Sequence, residues 1–409
     1  MTPDIRLIAF YLPQFHPIPE NDEWWGKGFT EWTNVAKARP LFPGHYQPHL
    51  PADLGFYDLR LPEAREAQAA LAHEYGIHGF CYYHYWFNGR RVLERPFNEV
   101  LASGKPDFPF CLCWANENWT RIWDGGEKNV LLEQKYSHED DLAHIESLIP
   151  AFRDERYIRI DGKPLFLVYR TGLLPNPART AEIWREAAKR AGIGDLYLIG
   201  VESFGNEADP HAIGFDASVE FAPFGGVMGK LKFSGTFHRL LAKLGVLSKG
   251  FVENSVIDYD TIVEGMLRIP EPDYKRFHGV TPAWDNSARR KQNAFILDGA
   301  TPLKYQAWLR TVVERTLRKH SGDERIVFIN AWNEWAEGNH LEPDLKWGRA
   351  YLEATRNAVL GAAQQSGAVA PANQAPDVQA TLVRRIYWKT LAFMKEQANL
   401  LRLLGFRKK

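Results

Sequence analysis

The sequence predicts an α/β fold, a (β/α)8 TIM barrel, on three observations. Short apolar runs alternate with amphipathic stretches. Eight such runs can be counted. Nearly every run ends in a polar or aromatic residue. The runs are 5–11, 79–85, 108–114, 165–170, 196–203, 217–221, 279–284 and 326–332. Helical spacing fills 62–75, 138–153, 179–191 and 302–320. Strand–helix alternation means parallel strands with crossover helices. A doubly wound sheet would place a Gly-rich phosphate turn after the first strand. Here that strand runs into Leu12-Pro13-Gln14-Phe15-His16-Pro17, which cannot cradle a pyrophosphate in that way.

In a barrel, the loops after the strands build the active face. The first strand delivers Tyr11, Gln14 and His16, and the long loop 17–57 adds Trp24, Trp25, Phe29, Glu31 and Trp32. The second ends in His84, Tyr85 and Trp86, and the third in Trp114 with Asn116 and Glu117 beyond it. The fourth gives Tyr169 and Arg170, the fifth Glu202 and the sixth Glu220. Segment 220–276 is long, with a Gly-rich stretch at 224–229. Its Asp258-Tyr259-Asp260 has the form of a metal motif but reads as a solvated turn or helix start. The seventh strand gives Trp284, Asp285 and Asn286, followed by Arg289-Arg290-Lys291. A phosphate site often lies after strand seven. The basic run could therefore meet a nucleotide-sugar diphosphate or a lipid-linked pyrophosphate, but it reads slightly better as a solvated patch.

The last strand leads into the sharpest motif, Asn330-Ala331-Trp332-Asn333-Glu334-Trp335-Ala336-Glu337-Gly338-Asn339-His340. Glu334 and Glu337 are three apart, so within one turn both carboxylates share a face. Glycoside chemistry needs two carboxyls, one to protonate a leaving oxygen and one as base or nucleophile. Trp332, Asn333 and Trp335 surround the pair, and Trp114-Ala115-Asn116-Glu117-Asn118-Trp119 repeats the pattern after strand three. His340 with the two glutamates lacks a second histidine at helical ligand spacing, so no metal and no cofactor is expected.

Composition agrees. The 409 residues carry 14 Trp, 16 Tyr and 24 Phe, clustered with Asn, His and Glu in the way that suits the apolar faces and hydroxyl edges of sugars. Lys and Arg number 50, as do Asp and Glu, so no basic excess points to nucleic acid. The expected partner is an oligosaccharide or polysaccharide. Cys81, Cys111 and Cys113 sit in apolar runs and read as buried hydrophobes. No signal peptide or bilayer-length apolar run is evident, which predicts a cytoplasmic protein.

The expected organisation is a barrel over 1–360, a small-residue, proline-bearing linker over 361–380 and a basic amphipathic helix over 381–409. That helix can pack on protein, the favoured reading, or lie on the inner face of an anionic membrane.

The motifs carry a resemblance. Ala9-Phe10-Tyr11-Leu12-Pro13-Gln14-Phe15-His16, Gly28-Phe29-Thr30-Glu31-Trp32-Thr33-Asn34-Val35, Tyr82-Tyr83-His84-Tyr85-Trp86-Phe87, Trp114-Ala115-Asn116-Glu117-Asn118-Trp119 and Asn333-Glu334-Trp335-Ala336-Glu337-Gly338 resemble the WbsX-like family of glycosyltransferases over roughly 5–351. That family is related to glycoside hydrolase family 99, the endo-α-mannosidases and endo-α-mannanases. The resemblance implies a retaining mechanism on α-linked, mannose-like units. Glu334 takes the proton of the sugar's own 2-hydroxyl, and Glu337 serves the leaving group and then the acceptor. It also implies a place in bacterial O-antigen or capsule polysaccharide metabolism. Ala336 stands where the hydrolases have His. A nucleotide-sugar-dependent transferase and a non-catalytic glycan-binding protein remain the alternatives.

Overall fold

The structure, a computed structural model, describes residues 4–121, 126–203, 209–224, 229–290 and 292–366. Eight parallel strands form a closed barrel: β1 (Arg6–Tyr11), β2 (Gly79–Phe87), β3 (Phe110–Trp114), β4 (Lys163–Val168), β5 (Tyr197–Glu202), β6 (Ala217–Glu220), β7 (Arg276–Val280) and β8 (Ile326–Ile329). Closure is made by β1, which pairs with β2 through Ile8–Gly79 and with β8 through Ile8–Phe328. Such runs of buried apolar residues suit strands covered on both faces.

Helices α1 (Pro62–Glu74), α2 (Arg95–Ser103), α3 (His138–Arg153), α4 (Pro177–Arg190), α5 (Tyr259–Arg268), α6 (Pro302–Lys319) and α7 (Ala350–Ser366) supply most of the outer layer. Their starts are written locally. Ser137 accepts from the Asp140 N–H, with Glu139, Asp140 and Asp141 in the first turn. Asn176 and Thr301 cap helices that begin with proline. Asp258 caps α5 by accepting from the Asp260 N–H, so the Asp-Tyr-Asp sequence is a helix start.

The seventh strand differs from expectation. It runs from Arg276 to Val280 rather than over 279–284, because Pro282 has no N–H to donate to a ladder. Trp284 and Asp285 therefore lie in the following loop. At the other end, α7 continues to Ser366, past residue 361 where the linker is expected. Gly361 fits there because a Cβ would stand 3.1 Å from the Arg310 guanidinium, which donates to its carbonyl. The rest of that linker and the 381–409 helix lie outside the described residues.

The upper barrel interior is aromatic. Phe10 stacks on Tyr83 at 5.6 Å and meets Phe221 and Phe328 at 5.5 and 5.7 Å. Tyr169 packs edge-on against Phe221. These rings fill the barrel and form a floor beneath its C-terminal face. The three cysteines are buried and unbonded. Among the described residues, no helix is long and apolar enough to cross a membrane.

Candidate active site

After β8 the chain turns sharply across the barrel mouth. The Trp332 N–H donates to Phe10 O, and Asn333 clamps Leu12 from both sides: Oδ1 accepts from the Leu12 N–H at 2.7 Å while Nδ2 donates to Leu12 O at 3.0 Å. Asn333–Glu334 then pairs antiparallel with Asn339–His340 around a single turn of 3-10 helix, Trp335–Glu337. Gly338 closes the turn at φ +55°, where a Cβ would lie 3.0 Å from that of Asp285. The Asp285 N–H in turn donates to Glu337 O at 2.6 Å. Trp335 stacks on His340 at 3.8 Å. The loop is thereby braced on both flanks, and both glutamate side chains reach one cation.

That cation is Arg289. Its Nη2 donates to Glu334 Oε2 at 2.9 Å, its Nη1 to Glu337 Oε1 at 2.5 Å and its Nε to Glu31 Oε2 at 3.1 Å. Three carboxylates surround one guanidinium, so full ionisation would leave two uncompensated negative charges. Burial and repulsion from Glu337 push Glu334 up to about 8, against the pull of Arg289. Glu337 is also raised, by burial first. Although burial opposes its charge, Arg289 is held protonated by Glu31, Glu337 and Glu334. The cluster thus retains a proton at neutral pH, which acid–base work requires.

Both glutamates line a cavity of about 790 Å³. Its walls include Gln14, Trp24, Trp25, Tyr83, Tyr85, Trp119, Tyr169, Phe221, Phe224 and Trp284, with Glu117, Arg170, Arg289 and Arg290 as charged groups. Arg170 Nη1 donates to Glu117 Oε1 at 2.5 Å. Burial first, and then nearby carboxylates, raise Tyr83 and Tyr169 well above the usual phenol range, so both keep their hydroxyl protons. Aromatic faces beside hydroxyl, amide and carboxylate groups match the two-sided chemistry of a sugar.

Of the residues expected at the site, the structure brings Gln14, Trp24, Trp25, Tyr85, Glu117, Tyr169, Arg170, Trp284, Asn286, Glu334 and Glu337 to the cavity. The others lie elsewhere. Successive β2 side chains alternate, so Tyr83 and Tyr85 face in while His84 and Trp86 meet α3 through His144 and Asp140. Trp114 packs with His144 and Trp184. Asn116 shapes its loop, donating to Arg170 O and accepting from the Arg170 N–H. Tyr11 donates to Gln68. His16 is buried, and that burial lowers its imidazole to about 4. Trp32 donates to Tyr57 O, and Trp332 is wholly buried against Phe80. Trp335 donates to Glu342. Glu202 and Glu220 pair with Arg276 on β7. Asp285 accepts from His45 and Gln47 behind the wall. Asn333 is the clamp on Leu12.

Two residues were misjudged from sequence. Arg289 is a largely buried ion-pair centre, its side chain 11% exposed, not part of a solvated patch, because Glu31 arrives from 258 positions away. Lys291 lies outside the described residues. Tyr83 was passed over for its neighbours, although the parity of β2 selects it together with Tyr85.

The sequence profile described as "Glycosyltransferase WbsX" matches residues 7–355. The chain belongs to the WbsX glycosyltransferase family. The WbsX-family chain is also 48% identical over 356 residues to WxcX, an uncharacterized protein of Xanthomonas campestris pv. campestris, in two strains. The match covers 87% of this chain and 50% of WxcX, so the chain spans about half the length of those relatives. Among solved structures it is similar to a glycoside hydrolase-like protein, with TM-score 0.52, 14% identity and coverage of 87% and 94% of the two chains. It is likewise similar to the family 99 endo-α-mannosidase of Bacteroides thetaiotaomicron, with TM-score 0.51, 16% identity and coverage of 89% and 99%. At these identities the likeness is one of fold. The family membership and the barrel fold are what the functional reading below builds on.

Proposed function

We propose that this enzyme cleaves or transfers α-linked, mannose-like glycosyl units by a retaining mechanism in which Glu334 and Glu337 act as a pair. The observation that carries this reading is the convergence of the buried Glu334 and the partly buried Glu337 on Arg289 at the mouth of an aromatic cavity. Glu334 takes the 2-hydroxyl proton as that oxygen attacks C1. Glu337 protonates the departing glycosidic oxygen, leaving a 1,2-anhydro sugar. Glu337 then deprotonates water or a glycan hydroxyl, whose oxygen attacks C1 and opens the anhydro ring as Glu334 returns its proton to the 2-oxygen. Burial raises both Glu334 and Glu337, and these roles need the proton on Glu337. In so close a pair the proton belongs to both carboxyls. Arg289 binds both and so selects between them: a substrate that draws the guanidinium toward Glu334 leaves the proton on Glu337.

The proposed setting is bacterial O-antigen or capsule polysaccharide metabolism in the cytoplasm, with the 381–409 segment as a second unit that packs on protein or touches the membrane. A second reading, transfer from a phosphate-activated donor, is favoured by Arg170, Arg289 and Arg290 lining the same cavity. A paired product assay separates the two. New reducing ends or transfer products from α-mannan oligosaccharides, lost in Glu337→Gln, support the first. Acceptor-dependent nucleotide release from a nucleotide-sugar panel, with no turnover of the oligosaccharides, would replace it with the second.

A further inference from the structure

Helix Thr236–Lys243 presents its apolar side to solvent. Phe237 is 66% exposed, Leu240 51% and Leu244 67%, and their spacing places the three on one stripe. The opposite side, through Ala242, faces the protein. Five of the twelve exposed large apolar side chains among the described residues fall within 231–246, so the exposure is concentrated rather than scattered. Charge is concentrated in the same place. Residues 229–250 hold Lys230, Lys232, Arg239, Lys243 and Lys249 and no carboxylate. Lys232 is neutralised by Asp298 and Asp258. Among the described residues the other four make no ion pair, and Arg239 and Lys243 are exposed along one edge of the apolar stripe.

We propose that residues 229–250 form a docking surface for anionic membrane lipid, with Phe237, Leu240 and Leu244 entering the headgroup boundary and the four free cations contacting lipid phosphates. An exposed apolar stripe bordered by Lys and Arg is the pattern of an interfacial helix. Charge excludes the nearer occupants. A second copy would bring the same cations, and segment 381–409 carries eight Lys and Arg against Glu396 alone. The surface is anchored beside the cavity: Leu231 bridges to Ile257, the Lys232 N–H donates to Val256 O, and that strand pairs with Phe295–Asp298, whose Phe295 lines the cavity. Docking therefore brings the Phe295 wall of the cavity close to the membrane, where a lipid-linked glycan presents its sugars. This last consequence rests on the glycan-processing reading; the docking does not.

The test is flotation of the full chain with phosphatidylcholine vesicles, with and without phosphatidylglycerol. A Leu240→Cys variant carries a solvatochromic dye; the native cysteines are buried and do not compete for label. The expected result is binding only with phosphatidylglycerol, a fall in binding as salt rises, and a blue shift of the dye. Arg239→Glu with Lys243→Glu lowers the bound fraction at least about tenfold, and Phe237→Ser with Leu244→Ser also lowers it. Both pairs keep the wild-type melting temperature because the side chains are exposed. Flotation with unchanged dye emission assigns the contact to another segment and overturns the proposal. So does capture of an acidic protein without vesicle binding. Loss or retention of glycan turnover in the same variants does not bear on the docking.

Discussion

The largely buried Arg289 guanidinium donates to Glu334 Oε2 at 2.9 Å, and the same fork also holds Glu337 and Glu31. Removing one partner of such a cluster costs more than the pairing itself contributes, because charge is left buried without compensation. Arg289→Met is expected to lose about 3–5 kcal/mol of stability at pH 7. At pH 5 the loss is smaller, since Glu334, raised to about 8, then keeps its proton. Urea unfolding at the two pH values measures this, and equal losses would remove the cluster from the account of stability.

Glu334 gives the stability curve its sign. Its folded pKa is raised to about 8 from 4.5. Its favourable contribution is therefore fully present below about 4.5 and is lost as pH rises through about 8. Glu334→Gln removes this dependence. The variant should melt a few degrees above the wild type at pH 8–9 and close to it at pH 5. Parallel melting curves across that range would place the retained proton elsewhere.

Activity should separate from stability at the paired carboxyl. Glu337→Gln keeps the shape and the hydrogen bond to Arg289 but cannot release a proton. Turnover should fall at least about 10²-fold, the lower end for loss of a general acid. The circular dichroism spectrum should not change. Comparable turnover in wild type and variant would take Glu337 out of the chemistry.

How much was legible depends on the range of the forces. Strand–helix rhythm is local, so the barrel and the helices after Ser137 and Thr301 follow from neighbouring residues, while the helix expected from 179 starts two residues earlier, at Pro177 behind the Asn176 cap. The glutamate pair was legible because three-residue spacing within one turn forces convergence. Arg289 was not, since what buries it comes from the first long loop. Glu202 and Glu220 end strands as expected, yet Arg276 takes both, a pairing that only the closed barrel reveals. The seventh strand was displaced because its apolar content continues past Pro282 while its ladder cannot.

Asn333 tests whether an expected sugar contact is instead structural. Both polar atoms of its amide are used on Leu12, and Nδ2 also reaches the Tyr57 hydroxyl. Asn333→Ala orphans a buried N–H and C=O at about 1–3 kcal/mol each. The expected outcome is a clear loss of stability with kcat lowered and KM little changed, because the catalytic loop shifts while the sugar walls remain. A selective rise in KM without loss of stability would restore the contact.

Trp119 and Trp86 make the matching comparison for aromatic rings. Trp119 lines the cavity and meets Trp24, Tyr85 and Phe87 edge-on, so one side of its indole is held and the rest faces the open space. Trp86 lies on the outward parity of β2 and donates to Asp140. Trp119→Ala should therefore raise KM for an oligosaccharide roughly tenfold, the scale of one lost apolar contact area, with little effect on unfolding. Trp86→Phe should leave KM alone and cost about 1 kcal/mol for the missing hydrogen bond. Steady-state kinetics and urea unfolding on the two variants decide between inward and outward parity. A KM effect at Trp86 with none at Trp119 would mean that sugar is bound outside the barrel mouth.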